Sequence, residues 1–302
     1  MLVLAFIVCT VAIYIIITKK NQNRYDELSL MLNQILEGKE VTYSDTKDTR
    51  LSKISHQVKK VKDMIEIEVE QSKLEKEAIK SLISNMSHQL KTPLSNITIY
   101  CELLENMNIS TSQKKEFLQK MKNETFKIDW LLQSLFKMTK LEDGVIKFET
   151  EELLIKDTIL QSISTVFNKA EAKEIRINLE PFSDIKLVHN KKWTTEAIVN
   201  ILENAIKYSP LNSIITVSVI KMELYTKITI KDEGIGIDNK ELNDVFKRFY
   251  RSKNVENQNG TGIGLYLARL ILEKENGNII VESKLGSGSC FSIFLQNCKS
   301  LN

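Results

Sequence analysis

Residues 85–94 read Asn-Met-Ser-His-Gln-Leu-Lys-Thr-Pro-Leu and place one histidine on a helical pattern. Apolar residues recur around it every three, four or seven positions, which predicts a helix with one buried face. These residues are Ile79, Ile83, Met86, Leu90, Ile97 and Leu104. His88 lies two positions from both Met86 and Leu90, about 200° around the helix. Its imidazole is therefore expected to face solvent, where the neutral ring offers a nucleophilic nitrogen.

Two neighbours of His88 add to this prediction. Pro93 cannot donate a backbone hydrogen bond to the carbonyl of Gln89, so a kink is expected one turn after the histidine. Thr92 follows His88 by four positions and shares its face. A lone histidine on a helix is as often a plain surface residue, so its meaning depends on the rest of the chain.

The run Ser-His-Gln-Leu-Lys-Thr-Pro-Leu resembles the phosphoacceptor box of bacterial two-component sensor histidine kinases. The resemblance implies that His88 is the phosphoacceptor and that Gln89, Lys91 and Thr92 belong to the catalytic group. The family usually has Glu or Asp where this chain has Gln89. An amide can accept a hydrogen bond and fix the imidazole tautomer. It cannot act as a general base, whose loss typically costs about 10²–10⁴-fold in rate. Thr92 matches the position that orients water for dephosphorylation of the regulator.

Composition sets few limits on function. The 302 residues suit about two domains. Lys plus Arg number 42 and Asp plus Glu number 39, so the net charge of +3 gives no sign of nucleic-acid binding, and none is expected. The four cysteines have no metal-ligand or CxxC spacing, and those placed in the cytoplasm are expected to be reduced.

The N-terminal residues are apolar from Leu2 to Thr18 and are followed at once by Lys19 and Lys20. This pattern predicts a single-pass transmembrane helix over residues 1–20 in the plasma membrane, with the following domains in the cytoplasm. A buried core helix is the alternative. A signal peptide is not expected, because no basic residue precedes the run and no small-residue cleavage site ends it. If residue 1 is the true start, essentially no extracellular domain is expected; in a fragment, an outer domain could be missing.

Residues 21–72 are predicted to form a cytoplasmic linker of two amphipathic helices joined by a polar connector. This arrangement resembles a HAMP-type signal-relay module, although any parallel coiled coil would fit the same periodicity. Residues 73–143 are predicted to form the dimerisation and histidine phosphotransfer domain. Its second helix is expected over Gln113–Leu141, capped by Ser112. The inward residues of that helix are expected to be Phe117, Met121, Ile128, Leu131, Leu132, Leu135 and Met138. One hairpin cannot bury both sides of its stripe, so a homodimer with a four-helix bundle is expected.

Residues 144–297 change to alternating strands and helices, which predicts an α/β sandwich with helices on one face. Strands are expected at 145–148, 175–179, 185–188, 214–222, 224–231, 278–283 and 288–295. Helices are expected at 155–169, 191–208 and 262–275. The resemblance implies that this part is a Bergerat-type (GHKL-type) catalytic ATP-binding domain.

One face of the helix at 191–208 carries Asn200, Asn204, Lys207 and Tyr208, while apolar residues occupy the other face. The polar stripe could be plain solvent surface. Amide oxygens also suit Mg²⁺, and a lysine suits phosphate. Residues 200–209 resemble the N-box of the kinase family. The resemblance implies Mg²⁺ on Asn204 supported by Asn200, with Lys207 toward phosphate and Tyr208 at the adenine of ATP.

Two glycine-rich stretches complete the predicted nucleotide site. Residues 232–237 follow a strand and resemble the first glycine box of the family, with Asp232 at the adenine amino group. Residues 260–265 precede a helix, where free amides make an anion site. They lack the spacing and βαβ setting of a dinucleotide fingerprint. The candidate residues are Asp232, Gly234, Gly236, Gly260, Thr261, Gly262, Gly264 and Leu265.

Residues 245–251 lie between the glycine stretches and resemble the F-box of the family. Arg251 is the first candidate for the γ-phosphate contact and Arg248 the second, against the alternative of solvated surface charges. Residues 252–259 are expected to form a lid, and residues 286–288 match the last box or form a hairpin turn. His189 and Trp193 are interpreted as structural residues.

Three functions compete at this point. The first is a sensor kinase that uses ATP and Mg²⁺ to phosphorylate His88 and passes the group to an aspartate of a response regulator, with possible phosphatase activity. The second is a phosphatase-biased or non-catalytic scaffold, motivated by Gln89. The third is a chaperone- or topoisomerase-like ATPase of the same fold. Such ATPases place a water-activating glutamate where this chain has Asn200, which argues against the third.

Overall fold

A computed structural model describes residues 2–36, 49–105, 109–144, 148–252, 255 and 260–297. The chain divides into two compact units, one that ends at Ile83 and one that begins at Ser84. The second unit holds His88 and every predicted nucleotide-binding residue.

The first helix, α1, runs without a break from Leu2 to Leu36. It combines the predicted apolar segment with the first predicted linker helix, which were expected to be separate. Among the described residues, none of the helices has both the length and the apolar character that a membrane span requires. The structure therefore does not support the predicted transmembrane helix. The predicted polar connector lies outside the described residues.

The second helix, α2, runs from Thr49 to Glu105 and continues through Pro93. It joins the second predicted linker helix to the predicted His88 helix. His88 is exposed, whereas Met86 and Leu90 are half-buried, as the helical spacing predicts. The sequence predicts that the His88 helix ends near Asn108, which lies outside the described residues.

The third helix, α3, runs from Thr111 to Glu142 and begins with a capping box. The Ser110 hydroxyl accepts a hydrogen bond from the Gln113 backbone N–H at 3.2 Å. The Gln113 side chain accepts one from the Ser110 backbone N–H at 3.0 Å. The prediction that Ser112 caps the helix is wrong, because the Ser-x-x-Gln pattern at residues 110–113 satisfies the first amides two residues earlier.

Helices α2 and α3 form the predicted hairpin. Tyr100 of α2 stacks on Phe117 of α3, with ring centroids 5.8 Å apart. Leu131, Leu135 and Met138 are buried as predicted, but Leu132 is 40% exposed in the single chain.

The C-terminal domain begins with a small two-stranded sheet. Strand β1 (Glu151–Leu154) leads directly into α4 (Ile155–Glu171). Strand β1 pairs antiparallel with β3 (Lys186–His189). The sequence did not predict β1, while most of the strand predicted at 145–148 lies outside the described residues.

The second sheet has five strands: β2 (Arg176–Leu179), β4 (Ile214–Lys221), β5 (Tyr225–Lys231), β6 (Asn278–Ser283) and β7 (Ser289–Gln296). Their order across the sheet is β2-β4-β5-β7-β6. Strands β2 and β4 are parallel, and the remaining neighbours are antiparallel. The other helices with described bounds are α5 (Lys191–Tyr208), a 3₁₀ turn (Asp244–Phe246) and α6 (Gly264–Lys274).

The core lies between this sheet and helices α4, α5 and α6. Ile198, Ile201 and Leu202 of α5 are fully buried, as are Ile215 of β4 and Ile228 of β5. The apolar side of α5 therefore packs against the sheet. Its opposite, polar side faces away from this core. The predicted α/β fold is confirmed.

His189 is buried and acts as a structural residue, as predicted. Its Nε2 lies 2.8 Å from the Thr158 hydroxyl, and its Nδ1 lies 3.0 Å from the Leu187 carbonyl oxygen. Burial lowers the pKa of His189. Trp193 packs beside Phe148, with ring centroids 5.8 Å apart.

Candidate nucleotide-binding site

An open cavity of about 1080 Å³ lies in the second unit and brings together most of the predicted site residues. Its size suits a nucleotide-sized ligand. The predicted residues that line it are Gln89, Thr92, Asn200, Asn204, Lys207, Tyr208, Asp232, Gly236, Arg251, Gly260, Thr261, Gly262, Gly264 and Leu265. Gly234, His88, Lys91 and Arg248 are not among the residues that line it; Gly234 is buried.

The polar side of α5 supplies two amides to the cavity. Asn200 donates from Nδ2 to the Glu196 carbonyl at 2.9 Å. Its Oδ1 therefore turns toward Gly264, where a Cβ would lie 3.0 Å from that oxygen. Asn204 lies one turn further along the same side. Two amide oxygens on one face form an uncharged hard-ligand set of the kind that Mg²⁺ accepts together with phosphate oxygens.

The described residues hold no cluster of three or more His, Cys, Asp or Glu side chains able to bind a metal. Asn200 and Asn204 are the residues that would hold Mg²⁺ here, together with the phosphates that it accompanies.

Lys207 and Tyr208 end α5 with their side chains in contact. The lysine ammonium donates to the tyrosine hydroxyl at 2.7 Å and lies 4.4 Å from the centre of its ring. Burial, followed by the nearby charge of Arg251, lowers the pKa of Lys207 to about 8. An anion in the cavity would oppose both effects and favour the charged ammonium.

Asp232 lies at the end of β5 and is buried. Its Oδ1 accepts from the backbone N–H groups of Gly234 at 2.8 Å and Ser289 at 3.1 Å. Burial raises the pKa of Asp232, and these two hydrogen bonds lower it. Because both bonds use Oδ1, Oδ2 remains as an acceptor for a donor in the cavity.

Two glycines let backbone segments approach closely around the cavity. Gly236 has a φ of +71°, and a Cβ there would lie 2.1 Å from the Lys284 carbonyl oxygen. Gly262 has a φ of +72°, and a Cβ there would lie 2.6 Å from the Tyr250 carbonyl oxygen. A side chain at either position would clash with backbone in a conformation that favours glycine.

The two candidate arginines have different surroundings. Arg251 lines the cavity and donates from Nη2 to the Val255 carbonyl at 2.9 Å. Arg248 instead forms an ion pair with Glu142, at 2.6 Å, and lies 4.9 Å from the ring centre of Tyr266. The Tyr266 hydroxyl donates to the same Glu142 oxygen at 2.5 Å. The structure therefore places Arg248 against the end of α3 and away from the cavity.

The phosphoacceptor box meets the cavity beside His88. Gln89, Thr92 and Pro93 line the cavity, whereas the side chains of His88 and Lys91 are exposed. The Thr92 hydroxyl donates to the His88 carbonyl at 3.4 Å.

Sequence reasoning missed several residues that line this cavity, among them Phe126 and Trp130 of α3 and Lys173, which follows α4. Their positions depend on how distant segments pack, so no local motif identifies them. For Lys173, the only sequence signal is its place directly after a helix.

Comparison with known proteins agrees with this arrangement. Residues 78–144 match the His Kinase A (phospho-acceptor) domain, and residues 189–298 match the histidine kinase-, DNA gyrase B- and HSP90-like ATPase domain. These two matches identify a phospho-acceptor domain followed by an ATPase-type domain.

The related proteins are named as sensor histidine kinases. The chain is 32% identical to sensor histidine kinase WalK of Bacillus subtilis over 75% of this chain and 38% of that protein. It is 25% identical to sensor-like histidine kinase SenX3 of Mycobacterium tuberculosis over 72% of this chain and 54% of that protein. The chain belongs to the sensor histidine kinase family. It spans only 34–38% of the length of the first three curated relatives.

Solved structures share the fold at low sequence identity. Histidine kinase ThkA, in complex with the response regulator protein TrrA, aligns with a TM-score of 0.61 at 16% identity, over 80% of this chain and 68% of that chain. Acinetobacter baumannii histidine kinase AdeS aligns with a TM-score of 0.57 at 19% identity, over 70% of this chain and 98% of that chain.

Proposed function

We propose that this chain is an ATP-dependent protein histidine kinase that phosphorylates His88 and passes the phosphoryl group to an aspartate of a response regulator. One observation carries the proposal: Gln89 and Thr92, which follow the acceptor histidine in the chain, line the same cavity as Asn204, Lys207 and Asp232. This shared cavity supports a nucleotide site next to the acceptor box.

The cavity residues suit a nucleotide in a defined orientation. Asp232 Oδ2 would accept from the adenine amino group, and the Tyr208 ring would cover the base. Lys207 and Arg251 would balance the charge of the phosphates, while Asn200 and Asn204 would present amide oxygens to Mg²⁺. Bound there, Mg²⁺ would offset part of the negative charge of the phosphates.

His88 would act as the nucleophile through a neutral imidazole nitrogen. A nitrogen–phosphorus bond forms to the γ-phosphorus, the bond to the bridging oxygen breaks, and ADP leaves. The imidazole proton passes to solvent, because Gln89 can hold an N–H but cannot take its proton. Such a transfer depends on in-line positioning and charge neutralisation more than on covalent chemistry. Because His88 does not line the cavity, the ATP-binding domain must move toward this histidine or toward that of a second protomer.

A response regulator and a second copy of the chain are the proposed partners. The ThkA structure contains the response regulator protein TrrA, which supports a partner of that kind here. Leu132 and Phe136 of α3 are 40% and 62% exposed in the single chain, which supports a dimer through the hairpin. Thr92 would serve a phosphatase step on the regulator.

The location of the chain is a separate proposal. The apolar run from Leu2 to Thr18 and the following Lys19 and Lys20 favour attachment to the plasma membrane, with the kinase domains in the cytoplasm. Cell fractionation of the full chain beside a chain without residues 1–20 tests it. Equal recovery of both chains in the same fraction would contradict membrane attachment.

Gln89 is the observation that favours the scaffold as a second candidate. Labelling of the full chain with γ-labelled ATP and Mg²⁺, beside Gln89→Glu, separates the two functions. Acid-labile label in the wild-type chain supports the kinase. Label in Gln89→Glu alone would mean that the natural protein is tuned away from kinase activity. ATP binding without label in either chain would leave the scaffold.

A further inference from the structure

Lys173 follows the end of α4 and reaches across to the last turn of α5. Its ammonium donates to three backbone carbonyls, those of Ile206 at 2.9 Å, Lys207 at 2.8 Å and Ser209 at 3.1 Å. All three N–H donors of the side chain are thereby used. The Asn212 backbone N–H also donates to the Lys173 carbonyl at 3.2 Å, which ties the turn after α5 to the same residue.

The end of a helix exposes carbonyls without intrahelical partners and carries a partial negative charge. A lysine ammonium that is half-buried against these carbonyls supplies both the missing donors and the opposite charge. Hydrogen bonds to a charged donor are stronger than those between neutral groups. Lys173 therefore fixes the final turn of α5 more firmly than solvent would.

The turn held by Lys173 is the part of α5 that carries Lys207 and Tyr208. Its backbone also meets the glycine-rich loop after β5, since the Ile235 N–H donates to the Tyr208 carbonyl at 3.3 Å. A Cβ at Gly234 would lie 2.9 Å from that carbonyl oxygen. A small shift of this turn would displace the Lys207 ammonium, the Tyr208 ring and the loop after Asp232 together.

We propose that Lys173 is a positioning residue for nucleotide binding, which acts by holding the last turn of α5 and, through it, Lys207 and Tyr208. The inference rests on the proposed function of the cavity. Lys173 lies between the matched ranges 78–144 and 189–298, so neither family match includes it. Because its donors are all engaged by carbonyls, Lys173 acts through α5 and not through the phosphates.

The test compares Lys173→Met with the wild-type full chain in calorimetric titrations with ATP and Mg²⁺. We expect the dissociation constant for ATP to rise about tenfold, because the lost charge-assisted bonds let the last turn of α5 shift. Lys156→Met is the matched control: Lys156 lies in the first turn of α4, pairs with Asp184 at 3.6 Å and does not line the cavity. Its ATP affinity should stay within about twofold, as expected for an exposed ion pair.

A double-mutant cycle separates positioning from a general structural effect. In a Lys207→Met background, Lys173→Met should weaken ATP binding by less than about threefold, because its main route of action is already gone. A full tenfold effect in that background would overturn the proposal.

Lys173→Arg keeps the positive charge and the donors, so it should retain ATP affinity within about threefold. If Lys173→Met does not fold, Lys173→Arg still tests the proposal. A loss of ATP affinity in Lys173→Arg as large as the loss in Lys207→Met would contradict the proposal. Wild-type chain that binds no ATP would refute the proposed function itself. Wild-type and Lys173→Met chains that bind ATP equally would refute only the role of Lys173.

Discussion

Burial and a neighbouring charge together lower the pKa of one site residue, Lys207. Its pKa is lowered to about 8 by burial and then by Arg251, whereas the unfolded chain would have the ordinary value of 10.5. The folded protein thus loses this proton before the unfolded chain does. The contribution of Lys207 to stability accordingly rises as the pH increases from about 8 to about 10.5.

The same pKa predicts a pH dependence of nucleotide binding. ATP affinity should fall as the pH rises above about 8, because Lys207 loses the charge that faces the phosphates. Titrations with ATP and Mg²⁺ between pH 7 and 9.5 measure it. Lys207→Arg keeps its charge throughout this range and should give a flatter profile. Identical profiles for the two chains would exclude Lys207 as the titrating group.

The two arginines of the F-box-like segment give a second prediction at this scale. Arg251→Gln should weaken ATP binding by about tenfold, as expected when a charge-assisted contact is lost. Arg248→Gln should leave the affinity within about twofold, because its guanidinium is held by Glu142 and Tyr266. The same titrations measure both variants. Equal losses in both would contradict the separation that the structure shows.

Individual site residues could be predicted from the sequence where local geometry decides their position. Asn200, Asn204 and Lys207 share a face because the helical repeat alone brings them together. Arg248 and Arg251 cannot be told apart in this way, because the partner of Arg248 is Glu142, more than a hundred positions away. Lys173 was missed for the same reason.

At the scale of elements, strong local patterns predicted most helices and strands. Helix α5 and strand β6 have the predicted bounds, since both have strong periodicity and clear ends. Strand β1 was missed because it is short and half exposed, with Glu151 and Glu152 at its start. It becomes a strand through its pairing with β3, which the local sequence does not show.

Glu275 connects the end of α6 to the start of α5. Its buried carboxylate accepts from the Asn190 backbone N–H at 2.8 Å and from the Thr194 hydroxyl at 2.9 Å. Burial raises the pKa of Glu275 to about 7, from an ordinary value of 4.5, although these bonds oppose the shift. The folded protein thus holds a proton that the unfolded chain loses, so this contribution to stability falls as the pH rises from about 4.5 to about 7.

Glu275→Gln should remove this pH dependence, because an amide keeps the acceptor without the buried charge. We expect the variant to gain about 1–3 kcal/mol over the wild-type chain at pH 7.5 and much less at pH 5. Urea unfolding at the two pH values measures the difference. A variant that is less stable than the wild-type chain by the same amount at both pH values would show that burial does not disfavour the charged carboxylate.

For the whole molecule, the exposed apolar residues of α3 predict a dimer. Leu132→Glu should yield monomers, since it places a charge in the proposed helical interface. Leu160→Glu is the control, because Leu160 is 47% exposed on α4, outside the hairpin. Light scattering coupled to gel filtration measures the mass of each chain. A Leu132→Glu chain with the same mass as the control would argue against assembly through the hairpin.

The most direct measurement of the central claim is the site of phosphorylation. The full chain is incubated with γ-labelled ATP and Mg²⁺ beside His88→Ala and His56→Ala, where His56 is another exposed histidine of α2. We expect acid-labile label in the wild-type and His56→Ala chains and none in His88→Ala. Label that persists in His88→Ala would show that another residue accepts the phosphoryl group and would contradict the role proposed for His88.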